Sequence, residues 1–164
     1  MRRFLGFPST LNETSARLVA TGAVLQAVAF LGLRSGWVLV PLTYGFFARV
    51  LTGPTLSPLG MFVTRVVTPL VPGTHRMVTG SPKRFAQGMG ATFTGVASIA
   101  WLLGAPAVSY VLVAGLAIAA SLEAGLGFCL GCWIFNRLMR WGVLPDSACA
   151  DCNDLSRRWA LSQS

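Results

Sequence analysis

Charge is what this chain has least of. Asp, Glu, Lys and Arg make up 11% of its 164 residues, with five acids and a single histidine, whereas a soluble globular domain carries about 25%. So few charges cannot cover a soluble surface. Ordinary enzyme signatures are missing too: there is no Ser-His-Asp spacing, no phosphate-binding glycine loop and no His-rich metal motif. What fills the chain instead is apolar residues, 54% of the total, at a mean hydropathy of +0.64. That composition describes an integral membrane protein in contact with the lipid bilayer. The formal charge of +8 comes from 13 Lys and Arg scattered singly or in pairs between apolar runs. Nucleic-acid binding needs a clustered basic patch, so no nucleic-acid partner is expected. Basic residues flanking membrane helices explain the pattern better.

Four apolar segments are long enough to matter. The first runs from Leu18 to Leu33, between Arg17 and Arg34, and the second from Ser35 to Leu51. The second contains Pro41 and Arg49, and both Arg34 and Arg49 must snorkel toward the interfaces for this pair to cross as a hairpin. From Phe85 to Phe135 there is no Lys or Arg, and Glu123 is the one acid. That length holds two more spans, 85–104 and 107–130, separated by a turn at Gly104, Ala105 and Pro106. The expected fold is all-α: four transmembrane helices over residues 1–140, followed by a short cytoplasmic tail over 141–164. The triplet Ala27–Ala29 mimics a signal-peptidase site, but Glu13 precedes it and apolar sequence follows, so cleavage is not expected.

Sidedness follows from the basic residues. With four spans, Arg2, Arg3, Arg17, the loop at 50–84 and the tail share a side, and Arg34 alone lies opposite. Both termini are expected in the cytoplasm of a multi-pass plasma-membrane protein. In the loop, Leu59, Phe62, Val63, Val66, Val67 and Leu70 recur at helical spacing between Pro58 and Pro69. This pattern fits an amphipathic helix on the interface, or an ordered loop packed on the bundle. Ala91 with Gly95, and Gly127 with Gly131, have the spacing of close helix contacts, within one chain or in a homo-oligomer.

The stretches "TLSPLGMFVTRVVTPLV", "SPKRFAQGMGATF" and above all "GFCLGCWIF" carry a resemblance. Together they resemble the domain of unknown function 4395 family of bacterial integral-membrane proteins, from about Asn12 to Arg140. The resemblance implies a fold and a membrane location, and thioredoxin-like or sulfurtransferase partners suited to thiol chemistry.

The chain has four cysteines, arranged as Cys129-x-x-Cys132 and Cys149-x-x-Cys152. On a continuing span-four helix the first two would share a face at the cytoplasmic mouth, in a reducing compartment unsuited to a permanent disulfide. Three readings stand. Four thiolates at this spacing would satisfy tetrahedral zinc. Alternatively, Cys129 and Cys132 act as redox or sulfur-relay thiols, with the second pair resolving. A position at a helix C-terminus would raise their thiol pKa values, and Arg137 and Arg140 would offset that. The third reading is simple packing. Glu123 inside the last span needs neutralising or pairing. It is a candidate proton or cation site, a partner for Arg49 or Gln87, or a hydrogen-bonded tie between helices. Six residues from Cys129, it should face elsewhere on a continuous helix. His75, in a Pro- and Gly-flanked loop, is expected to be exposed.

These residues point to a membrane protein handling redox equivalents, sulfur or a metal through cytoplasm-facing thiols. A non-catalytic scaffold or accessory subunit with a structural four-cysteine zinc site is the alternative, and a small transporter using Glu123 is a third.

Overall fold

A computed structural model of the chain describes residues 10–72 and 77–143. The described chain is helical apart from one short strand pairing. Strand β1 (Thr10–Asn12) runs antiparallel to β2 (Met77–Thr79), with Leu11 opposite Val78. Helix α1 (Glu13–Leu33) starts where the Asn12 side chain accepts the Thr14 amide at 2.9 Å. It stops at Arg34, the one non-glycine residue with positive φ among the described residues. A single 3-10 turn (Gly36–Val38) leads into α2 (Leu39–Thr52).

Helix α5 (Gly80–Leu102) begins five residues before the expected span, and α6 (Pro106–Leu126) follows it. The turn between them falls where the sequence placed it, with Gly104 at φ 78° and Pro106 at the first helical position. Between α2 and β2 the chain forms α3 (Pro58–Phe62), a π-helical turn (Val63–Val67) and α4 (Thr68–Leu70). Ser57 caps α3 by accepting the Gly60 amide. The π turn comes just before Pro69, whose ring and missing N–H disrupt regular helical bonding. The Thr68 hydroxyl and amide both donate to the Val63 carbonyl five residues back. This change of phase divides the expected apolar stripe: Val63 is buried, whereas Phe62, Val66 and Leu70 face outward.

The long helices form a row in which α1 lies against α6, α6 against α5, and α5 against α2. Alanines make the close contacts: Ala23, Ala27, Ala91 and Ala97 are buried with Phe30, Leu42, Phe46 and Val113. At one end Phe30, Trp101 and Tyr110 form an aromatic cluster with ring centroids 5.4 to 5.9 Å apart. Polar ties also run between helices. The Ser109 hydroxyl donates to the Ala97 carbonyl at 2.6 Å, and Thr43 bonds to Ser98 at 2.9 Å.

The outer surface is apolar. Val40, Phe47, Ile99, Val111 and Ile118 are all exposed, on α2, α5 and α6, which reverses the arrangement of a soluble bundle. Two helices, α1 and α6, are long and apolar enough to cross a membrane.

The span expected over 107–130 is broken. Helix α6 ends at Leu126, Gly127 adopts a left-handed conformation at φ 68°, and a new helix α7 covers Leu130–Arg140. The Gly127 amide donates to Glu123 and the Phe128 amide to Leu122, a C-terminal cap that closes α6. Gly127 and Gly131 therefore do not share a helix face. Gly131 instead lies against Ala86 of α5, where an added Cβ would stand 2.6 Å from the Ala86 Cα. Phe135 stacks on Phe85 at 5.6 Å and completes the docking of α7 onto α5.

A candidate dithiol site

The break after α6 changes the chemistry of the cysteines. On a continuous helix they would sit at a C-terminus, where the dipole disfavours thiolate. Here Cys129 is the N-cap residue of α7, and its sulfur accepts the backbone amide of Cys132 at 3.3 Å. A helix N-terminus offers unpaired amides and positive potential, which favour a thiolate.

The two thiols differ accordingly. The Cys132 thiol donates to the Cys129 sulfur, and this, helped by Lys83 and the Cys132 amide, brings the Cys129 thiol below its ordinary pKa despite burial and the Glu123 charge. Donating that hydrogen bond makes Cys132 hold its own proton, and burial pushes its pKa up further. Both are half-buried, and neither is in a disulfide.

Buried Lys83 and partly buried Glu123 form an ion pair next to the dithiol. Among the roles the sequence offers Glu123, a partnership with Arg49 or Gln87 is not the one its carboxylate takes in the ion pair. It pairs with Lys83 because α5 starts early and carries Lys83 across to the last turn of α6. Arg49 does not snorkel. It is 5% exposed, donates its Nε to Gln87 Oε1 at 2.9 Å and stacks over Phe46 at 4.5 Å. Arg17 reaches from α1 to the end of α6, donating to the carbonyls of Ala124 and Gly125 at 3.2 and 2.7 Å. It satisfies the orphan acceptors that precede the cysteine turn.

Glu123 and Cys129, expected to diverge, line the same cavity of about 250 Å³ because the chain turns back at Gly127. Arg49 and Gln87 line its polar end, and Val19, Phe46, Phe93 and Leu116 its apolar walls. Lys83 and the cavity are the parts of the site that sequence reasoning missed. The signal for Lys83 was the helix-starting "GSPKR", with proline near the first turn.

Cys149, Cys152 and His75 lie outside the described residues. Among the described residues no group of three His, Cys, Asp or Glu side chains is placed to hold a metal. A four-thiolate zinc site would need the tail pair.

The family model for a domain of unknown function, DUF4395, matches residues 11–140, and the chain belongs to that family. No curated protein and no solved structure matches it.

Proposed function

We propose that this DUF4395 protein is a thiol-disulfide exchange protein of the bacterial plasma membrane, with Cys129 and Cys132 as its working pair. The observation that carries this reading is the Cys129 sulfur capping α7 and accepting the Cys132 amide. In the reduced protein the Cys129 thiolate attacks a partner's disulfide, forming a mixed disulfide and expelling one partner thiolate. Cys132 then loses its proton and attacks the Cys129 sulfur, releasing the second partner thiolate and closing Cys129–Cys132. The partner gains two electrons, and the reverse steps take them from a partner dithiol. A cytoplasmic thioredoxin-like or sulfurtransferase protein suits this exchange.

The same reading places α1, α2, α5 and α6 across the bilayer and both termini in the cytoplasm. The apolar outer surface supports it, as do the basic residues, eleven on that side without the inward-facing Arg49 against Arg34 alone opposite. Helix α7 then lies on the cytoplasmic interface. It buries Gly131 and Phe135 and exposes Trp133, Arg137 and Trp141, with Arg137 over the two indole rings at 5.7 and 6.0 Å. Aromatic and basic residues of this kind anchor at headgroup level.

The test is equilibration of the purified protein with a glutathione redox buffer, followed by thiol counting and mass spectrometry. A Cys129–Cys132 disulfide that forms and is reduced reversibly supports the reading. A Cys132→Ser variant should trap a partner on Cys129, and two thiols that never cycle would overturn it. The four-cysteine zinc scaffold, favoured by the repeated Cys-x-x-Cys spacing, predicts about one metal per chain and thiols unreactive until chelation.

A further inference from the structure

The cavity beside the dithiol has the form of a site for a molecule that enters from lipid. Phe93 and Gly115 line it and are themselves exposed on the outer faces of α5 and α6, among the exposed Val96, Val111 and Ile118. Its mouth therefore opens on the surface that faces the acyl chains. Inward from there the walls are apolar, and the cavity ends on Arg49, Gln87, Glu123 and Cys129.

Arg49 is the second observation. It is 5% exposed, and its guanidinium spends Nε on Gln87 while its Nη groups have no hydrogen-bond partner among the described residues. Arg49 lines the cavity and none of its unpartnered donors is shut away from it, so an acceptor bound there can meet them. A neutral, oxygen-bearing ring would supply one without bringing a charge into the apolar bundle. At about 250 Å³ the space takes a ring head-group and the start of a chain, with the remaining chain left in lipid through the Phe93 and Gly115 mouth.

We propose that this cavity binds a lipid-soluble quinone, with its ring carbonyl on Arg49, and that the quinone oxidises the Cys129–Cys132 dithiol. This rests on the thiol-exchange reading above and names its electron acceptor. In the step, the two thiols lose two protons and two electrons and form one S–S bond. The quinone takes both electrons and two protons to become the hydroquinone, and no other oxidant is needed. Cys129 lines the cavity and therefore meets the ring. Cys132, behind it on α7, closes the disulfide.

The experiment uses the full chain in lipid nanodiscs, reduced, freed of reductant and kept anaerobic. A short-chain ubiquinone analogue is added, quinone absorbance and free thiols are followed together, and the same preparation is equilibrated with a glutathione buffer. The expected result is one quinone reduced for every two thiols lost. In Gly115→Leu, which fills the mouth where an added Cβ meets only Phe93 at 3.9 Å, the rate at low quinone should fall at least tenfold. If the dithiol equilibrates with glutathione but reduces no quinone, or if Gly115→Leu reacts like wild type, the quinone inference fails and the exchange reading stands. If the dithiol does not equilibrate with glutathione, both fail.

Discussion

Lys83 in the first turn of α5 and Glu123 in the last turn of α6 meet as a largely buried ion pair across forty residues of sequence. The pair joins two helices at the end of the bundle where the dithiol lies. Each charge sits in a place that would be costly without the other, and removing one partner leaves the second buried and uncompensated. Glu123→Leu should therefore destabilise the bundle by about 3 kcal/mol. The double variant Lys83→Met with Glu123→Leu should recover most of the loss. Unfolding in mixed micelles of all four proteins, read as a double-mutant cycle, measures the coupling; purely additive losses would show that the pair contributes nothing.

The asymmetry between the two thiols predicts a pH signature. Alkylation needs thiolate, so the lowered pKa of Cys129 moves its labelling to lower pH than that of an ordinary thiol. The raised pKa of Cys132 keeps it unlabelled across the same range. Cys132→Ala removes the thiol donor and should shift Cys129 labelling upward in pH, toward ordinary cysteine. Iodoacetamide rates from pH 5 to 10, with peptide mass mapping, read both sites; identical profiles for the two cysteines would contradict the geometry.

Docking of α7 depends on a position that tolerates no side chain. An added Cβ at Gly131 would stand 2.6 Å from the Ala86 Cα, which is backbone and cannot swing aside. Gly131→Val should displace α7 at a cost of about 1–3 kcal/mol. Faster tryptic cleavage at Arg137 and Arg140, together with a changed Trp133 emission, is the expected result. A matched control is Gly88→Ala, where no atom lies within 4 Å of the added Cβ.

Ser109 tests how the helices are tied. Its hydroxyl donates to Ala97 from a fully buried position. Hydrogen bonds between membrane helices average about 0.6 kcal/mol, since the separated helices find other partners in lipid. Ser109→Ala should cost about that in a membrane-mimetic unfolding assay. A loss several times larger would mean that the hydroxyl holds the α5–α6 register rather than adding one bond.

Much of the fold was legible. The Gly104 to Pro106 turn could be located because glycine and proline act on the backbone directly, through conformations and donors that their neighbours do not alter. Helices α1 and α5 start five residues before the apolar segments that the sequence marks. Hydropathy marks where lipid-compatible sequence begins, whereas Asn12 as a cap and the early turn at Gly80 decide where helix begins. The break at Gly127 was missed for the same reason: apolar sequence continues through "GLGFCLGC" and hides a helix end that only the left-handed glycine marks.

The sequence by itself determined that this chain is helical and apolar on its outside, which segments are long, and that two cysteines stand three apart near the end of the last long run. Those are properties of composition and spacing, fixed by local chemistry. Tertiary structure alone decided that Cys129 caps a helix instead of closing one, that Lys83 and not Arg49 neutralises Glu123, and that Arg49 turns inward beside a cavity. Each depends on which helices lie side by side and on the phase in which they meet. For Cys129 a turn of a few residues at Gly127 sets that phase, and no pattern along the chain records it.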